Sequence, residues 1–344
     1  MDPDLRIREW RPGADDEPLR QLANQVYGLD RSPAFFRWKY RANPAGEAHF
    51  ALAEVAGRPV CMACVMPRRM RVGGESLLGS ISVDIATREE FRGRGLYRKV
   101  ASFLWERLDA AGIALTYGFT NRDSTGVTLG ALGRHRIGPL PLRVRPLRPL
   151  RLALVALGRG VTPDPGPTAP SGAVRCIERF DARYDRLWSR LEPRVDIAVV
   201  RDARFLNWRY AERPGGLYEI LEEPTADGGL AGYLVWRPML RFRVRTGFVA
   251  DVAEDPEHPG AARRLLRAAA RRARGRGSAL LALLSWGGSP VHRAARRAAP
   301  LPVPPVLFPQ MNVLSAISHR PGLATHDLAR PERWWLSWGD SDVV

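Results

Sequence analysis

The sequence predicts an α/β (α+β) protein made of two tandem, related domains, each a mixed β-sheet flanked by helices. Three observations carry that expectation. First, the Pro- and Gly-rich stretch Val161–Gly172 has no apolar period and divides the 344 residues almost in half. Second, the halves repeat. Arg31-Ser-Pro-Ala-Phe35-Phe-Arg-Trp38-Lys-Tyr40 matches Arg201-Asp-Ala-Arg-Phe205-Leu-Asn-Trp208-Arg-Tyr210 at four positions of ten, with a constant offset of 170. Turn regions follow both blocks (Asn43-Pro44-Ala45-Gly46 and Arg213-Pro214-Gly215-Gly216), then strands. Ser82-Val83-Asp84-Ile85 and Val249-Ala250-Asp251-Val252 come next, each ahead of a helix. A shared order of features is the mark of a tandem repeat. Third, the first half runs strand, glycine turn, amphipathic helix, strand, which is a βαβ unit with a right-handed crossover. The expected domains are residues 1–160 and 173–344, joined by a linker at 161–172.

The elements of the first half follow from periodicity. A helical pattern covers 15–27, and strands are expected near 48–56, 59–67 and 78–87. Leu96, Val100, Phe103, Leu104 and Leu108 fall on one face of a helix, and Ile113–Thr120 is the next strand. Between Ser80–Thr87 and that helix lies the turn Arg92-Gly93-Arg94-Gly95. A helix start has unpaired N–H groups and a positive dipole end, and glycines let its backbone approach an anion closely. The turn therefore reads as a pyrophosphate cradle, with Arg92 and Arg94 at its rim. The same tetrapeptide recurs as Arg274-Gly275-Arg276-Gly277, after a helical pattern at 261–273 and before the strand Ser278–Leu284. There it reads as a C-terminal cap, where carbonyls project and an anion is unwelcome. Context separates the two copies.

Composition bounds the remaining possibilities. Hydrophobic residues are 45% and charged residues 26%, as in globular chains. Formal charge is 53 − 36 = +17, and the only lysines are Lys39 and Lys99. Basic proteins attract polyanions. Here the arginines are scattered in pairs without an RRM, zinc-finger or basic-zipper signature, so nucleic acid is not the expected partner. Cys61, Cys64 and Cys176 are too few for a disulfide framework and fit a reducing, cytoplasmic setting. Cys61 and Cys64 form a CxxC within a strand pattern. Strand positions three apart face opposite ways, so no metal or redox pair is expected. Met1-Asp2-Pro3-Asp4-Leu5 does not read as a signal peptide, and no apolar run nears the ~20 residues of a membrane span.

Phe91-Arg92-Gly93-Arg94-Gly95-Leu96 resembles motif A of the GNAT acetyltransferases, Gln/Arg-x-x-Gly-x-Gly/Ala. Trp38-Lys39-Tyr40 with Asn43-Pro44 resembles a two-domain subgroup of that family. The resemblance implies an N-acetyltransferase moving an acetyl group from acetyl-CoA to a small-molecule amine by direct attack in a ternary complex. It implies CoA contacts from Ile85, Ala86, Thr87, Arg92, Gly93, Arg94, Gly95, Leu96, Tyr97 and Asn121, with a backbone N–H near Ala86 polarising the thioester carbonyl. Leu132-Gly133 matches the pair that closes the following helix. Tyr97 stands where many members have Gly or Ala. The general-acid Tyr of many members, four residues before that Gly, is Leu129 here. Asp123, Ser124 and His135 are nearby candidates for the acid. Asp84 reads either as a base or substrate-positioning group, or as a strand carboxylate paired with an Arg. No metal is required. In the second half the corresponding turn is Pro259-Gly260-Ala261-Ala262, which lacks one N–H and the second glycine. That half is expected to be a degenerate domain that binds no CoA and shapes the acceptor pocket or supports a homodimer. The alternative is a catalytically weak CoA-binding module acting in regulation or assembly.

Overall fold

The computed structural model describes residues 4–120, 122–156, 174–241, 244–304, 313–323 and 325–341. They fall into two units: Met1–Met70, Glu75–Pro139 and Pro309–Arg330 make one, and Arg71–Gly74, Leu140–Phe308 and Pro331–Val344 the other.

Numbered along the chain, the first unit holds β1 (Arg6–Glu9), α1 (Asp16–Tyr27), α2 (Pro33–Phe36), β2 (His49–Val55), β3 (Arg58–Val72) and β4 (Glu75–Thr87). It continues with α3 (Leu96–Trp105), β5 (Leu115–Thr120), α4 (Arg122–Gly126), β6 (His135–Gly138) and, far along the chain, β15 (Val313–Ser318). The sheet order is β1-β2-β3-β4-β5-β15-β6. β4 and β5 are parallel, and β15 runs antiparallel to both β5 and β6. The helix face predicted from periodicity forms. Leu96, Val100, Ala101 and Leu104 pack on Ala51, Ala53, Ala63 and Val65 of β2 and β3. Small residues on the sheet let α3 approach, and each buried Leu or Val contributes about 1.5–3 kcal/mol. The helix ends at Trp105, short of Leu108, because the chain tightens into turns that close with Gly112 at φ 73° and Ile113 N donating to Leu108 O at 2.9 Å. Cys61 belongs to this core, while Cys64 pairs with Phe50 on the other face of β3.

The second unit holds β7 (Leu142–Pro146), α5 (Pro149–Ala156), β8 (Arg175–Ile177), α6 (Ala182–Leu191), β9 (Ile197–Val199), α7 (Ala203–Leu206) and β10 (Glu219–Pro224). β11 (Leu230–Arg241), β12 (Val244–Glu254), α8 (Ala261–Gly275), β13 (Leu280–Leu284), α9 (His292–Ala298), β14 (Leu301–Pro302) and β16 (Trp334–Trp335) complete it. The sheet order is β14-β7-β13-β12-β11-β10-β8, with β12 and β13 parallel. Leu265, Leu266, Ala269 and Ala273 of α8 join Leu234, Trp236 and Leu281 in its core. Arg263, Arg267, Arg271 and Arg274 face outward, a solvated face as expected. Trp334, Trp335 and Trp338 are buried packing residues.

The units are not the continuous halves 1–160 and 173–344. β5 is followed in its sheet by β15, and β13 is followed by β7. Each parallel pair is thus closed by a strand from the other half of the chain, which covers an otherwise open strand edge. The segment 161–172 read as a linker lies outside the described residues. Among the described residues no helix is long and apolar enough to cross a membrane, and no group of three or more His, Cys, Asp or Glu is gathered as for a metal ion.

The exchange predicts that a fragment of residues 1–160, lacking β15, gives no cooperative thermal unfolding and aggregates on size exclusion. Co-expression with residues 161–344 should restore a folded complex. A stable, monomeric 1–160 fragment contradicts the exchange.

Candidate functional site

β4 and β5 pair at Ser80–Thr116 and Ile81–Tyr117, and among the described residues the ladder ends there. Three residues further on, Asp84 takes φ 46°, which a non-glycine residue adopts only when its surroundings hold it. The repeat block supplies those surroundings. Ser32 Oγ caps α2 through Phe35 N at 3.2 Å, and Arg37–Arg41 form a π-helical turn that buries Lys39 and Tyr40. The Asp84 carboxylate, 3% exposed, accepts from Arg31 Nη1 at 2.7 Å, from Lys39 Nζ and from Tyr40 OH. Burial alone would raise its pKa, but the Lys39 and Arg31 charges outweigh burial and hold the carboxyl well below the usual range. A carboxylate stabilised this way is a poor proton acceptor. Of the two readings open in the sequence, the geometry matches the ion-paired one.

The second block repeats the device. Asp202 caps α7 through Phe205 N at 2.8 Å, and Asn207–Ala211 are again π-helical. Arg201 Nε donates to both Asp251 oxygens at 3.3 and 3.2 Å, and Tyr210 OH donates at 3.4 Å. β12 is bulged beside Asp251, since Val235 pairs with Asp251 and Trp236 with Val249. In both units an Arg, a π-turned Tyr and a strand Asp lock a distorted strand. Its presence in both marks this lock as architecture.

The glycine turn lies past the end of β4. Gly93 and Gly95 take φ 74° and 70°, and Gly95 starts α3 without a side-chain cap. A Cβ added to either glycine would meet nothing within 4 Å, and Arg92 to Gly95 are all exposed. Arg92 Nε donates to Thr87 O at 3.4 Å, and Arg94 Nη2 to Glu90 O at 2.9 Å, so both cations stay at the rim. The first bond into the helix is Lys99 N to Gly95 O at 3.3 Å, which leaves the preceding N–H groups at the positive end of the dipole. Charge, donors and space suit a pyrophosphate.

The equivalent place in the second unit is occupied. Gly260 starts α8 with φ 94°, but Glu254 Oε2 accepts from Gly260 N at 3.0 Å and Ala262 N at 2.9 Å. A side-chain carboxylate already neutralises that helix end. By the Asp84–Asp251 offset of 167, the first unit has Thr87 at this position. The second Arg-Gly-Arg-Gly sits where context placed it. α8 runs to Gly275, and Gly277, at φ 79°, donates to Arg274 O at 3.1 Å.

The other predicted residues are placed unevenly. Ile85 O accepts from Tyr27 OH at 2.5 Å, Ala86 is buried and Thr87 Oγ1 lies 3.2 Å from Cys61 Sγ. Leu96 points into the core, so its backbone alone faces the turn. Asn121 lies outside the described residues, as does the side chain of Asp123. His135 is exposed on β6. Tyr97 has a contact that its place in the motif did not disclose. Its OH lies 3.0 Å from Thr128 Oγ1, next to Leu129 in the chain, the position of the absent acid Tyr. Burial raises the Tyr97 pKa, so the phenol keeps its proton. The signal was present in two departures, a large residue at 97 and Leu at 129, whose neighbour Thr128 meets the Tyr97 hydroxyl.

Residues 9–123 match the family profile described as Acetyltransferase (GNAT) domain. The fold resembles that of a probable N-acyltransferase from Enterococcus faecalis V583 (TM-score 0.62, 11% identity, 91% of this chain and 72% of that one). It also resembles Saccharomyces cerevisiae N-myristoyltransferase with bound myristoyl-CoA (TM-score 0.63, 13% identity, 92% and 82%). A GCN5-related N-acetyltransferase from Anabaena variabilis ATCC 29413 is similar at TM-score 0.62 and 10% identity, covering 90% and 72%. No curated protein sequence matches the chain. The chain carries a GNAT acetyltransferase domain within a two-sheet fold matching that of N-myristoyltransferase.

Asp84→Asn should cost about 3–5 kcal/mol in urea unfolding at neutral pH, because it removes the buried carboxylate on which the Arg31 and Lys39 charges converge. The folded pKa of Asp84 lies below its unfolded value, so its contribution is full above about pH 4 and fades as the pH falls further. The stability gap between wild type and variant should narrow below that pH. A pH-independent gap contradicts the ion-paired assignment.

Proposed function

We propose that this protein transfers an acyl group from a CoA thioester, acetyl-CoA being the smallest donor of the class, to an amine by direct attack in a ternary complex. The observation that carries this reading is the open, uncapped helix end at Gly93–Leu96 beside a parted strand pair, set against the filled helix end at Gly260–Ala262. In this reading the pyrophosphate rests on the N–H groups of the turn, with Arg92 and Arg94 flanking it. The pantetheine arm lies along Ile85–Thr87 and reaches Asn121. The backbone N–H of Ala86 stabilises the oxyanion as the amine attacks. Tyr97 protonates the departing thiolate, the role for which Asp123, Ser124 and His135 were sequence candidates. Asp123, at the start of α4, stays the second candidate for proton transfer, on chain position alone. Asp84 acts by holding β4 in shape. The myristoyl-CoA in the yeast structure supports a CoA thioester donor without fixing acyl length. The second unit binds no CoA in this reading, because Glu254 occupies its helix end.

Gly95 and Gly277 share a positive φ, so a side chain strains both backbones alike. Gly95→Glu should abolish the thermal shift produced by CoA, and Gly277→Glu should leave it intact. Ligand at ~100 times Kd should stabilise the wild type by about 2.7 kcal/mol. Equal loss in the two variants overturns the placement. Tyr97→Phe should lower kcat on the order of 10²-fold while CoA affinity stays within a few-fold. An unchanged kcat removes Tyr97 from proton transfer.

A further inference from the structure

Arg134 lies in the interior of the first unit and, among the described residues, has no acidic partner. It follows Gly133, whose φ of 63° ends the turn after α4, and it is 3% exposed. Among the described residues its side chain makes one hydrogen bond, from Nη2 to the Ser315 carbonyl at 2.7 Å. Nε of Arg134 and Oγ of Ser315 are both buried without a partner among the described residues. Burial lowers the guanidinium pKa to about 10. The contrast is Arg201, equally buried but set between Asp251 and Asp340.

The position is specific. Ser315 pairs with Gly118 across β15 and β5, so the two project to one face of the sheet. A Cβ on Gly118 would lie 3.0 Å from Nη2 and 3.2 Å from Nη1 of Arg134, and 3.2 Å from Ser82 Cβ. The guanidinium therefore rests on Gly118, the first residue of β5 past the last β4–β5 pair, at the apex where the strands part. Ser80 Oγ and Thr116 Oγ1 are 2.7 Å apart, and His319 Nε2 lies 2.8 Å from Thr116 Oγ1. Burial and the nearby Arg134 charge press the His319 pKa down to about 4.

A buried guanidinium with no counter-charge is destabilising, and an unused Nε–H adds to that. A guanidinium has five N–H donors in a planar fork, which a carboxylate meets in bidentate fashion. Ser315 Oγ supplies a further donor alongside. We propose that Arg134 receives the terminal carboxylate of the acyl group, so that the donor is the CoA thioester of a short dicarboxylic acid. The inference rests on the acyl-CoA reading above for where the thioester enters. The reaction is unchanged in its bonds: the amine nitrogen attacks the thioester carbon, the C–S bond breaks, the nitrogen loses a proton and the thiolate gains one. The products are an amide ending in a free carboxylate, and CoA. The carboxylate is held throughout and not consumed.

The test compares CoA, acetyl-, butyryl-, pentanoyl-, malonyl- and succinyl-CoA binding to the full chain by calorimetry, then repeats it with Arg134→Met. In the wild type, malonyl- or succinyl-CoA should bind about tenfold or more tightly than its neutral counterpart, butyryl- or pentanoyl-CoA. Arg134→Met should erase that ratio and leave CoA affinity unchanged. CoA binding with no carboxylate preference in the wild type overturns this inference and leaves the acyl-CoA reading standing. Absence of binding by every CoA species overturns both. An Arg134→Met variant that binds all donors as before but turns all of them over more slowly assigns the charge to the leaving thiolate, and also overturns the inference. The wild-type comparison decides the matter even where the variant does not fold.

Discussion

A carboxylate buried in a strand must be neutralised, and in the first unit that requirement shapes everything around the site. Asp84 sits at φ 46° in β4, with Arg31, Lys39 and Tyr40 closing on its two oxygens. The Asp84 charge would be costly to bury without these cations, so the distorted strand is strongly held. The distortion follows directly on the last paired positions of β4 and β5. The ladder between those strands thus ends beside a charge lock built from a ten-residue block, part of which is a π-helical turn.

Duplication separates the lock from the site. Asp251, Arg201 and Tyr210 rebuild the lock in the second unit, and a glycine with positive φ again starts the following helix. What differs is the occupant of that helix end. Glu254 fills it in one unit, and the first unit has the neutral Thr87 at the matching position, with the helix end open. Unpaired N–H groups at a helix start attract the nearest anion, and whether that anion is a side chain or a ligand decides whether a site exists. One architecture therefore yields a candidate donor site once.

Features that are local in the chain were legible in the sequence. The strand–turn–helix order around Arg92–Gly95 and the contrary context of Arg274–Gly277 could both be read from neighbours within a dozen residues, as could the repeat block. The exchange of β7 and β15 could not. A strand's alternation says that it pairs, not with which edge, and here the partner lies well over a hundred residues away. Tyr97 and Leu129 were each noted as departures, yet their joint meaning depended on the turn that brings Thr128 to the Tyr97 hydroxyl. Arg134 was hidden by composition. Among so many arginines nothing in the sequence marks which are buried, and the small size of Gly118 and its pairing with Ser315 single out Arg134.

The central claim is that CoA is held by the backbone of one turn, in one unit. The crystal structure of the chain with CoA tests it most directly. The account predicts pyrophosphate oxygens within hydrogen-bonding distance of the N–H groups of Gly93 to Leu96, with Glu254 still bonded to Gly260 and Ala262. Pyrophosphate at the start of α8 with Glu254 displaced, or CoA bound away from both helix ends, would contradict it.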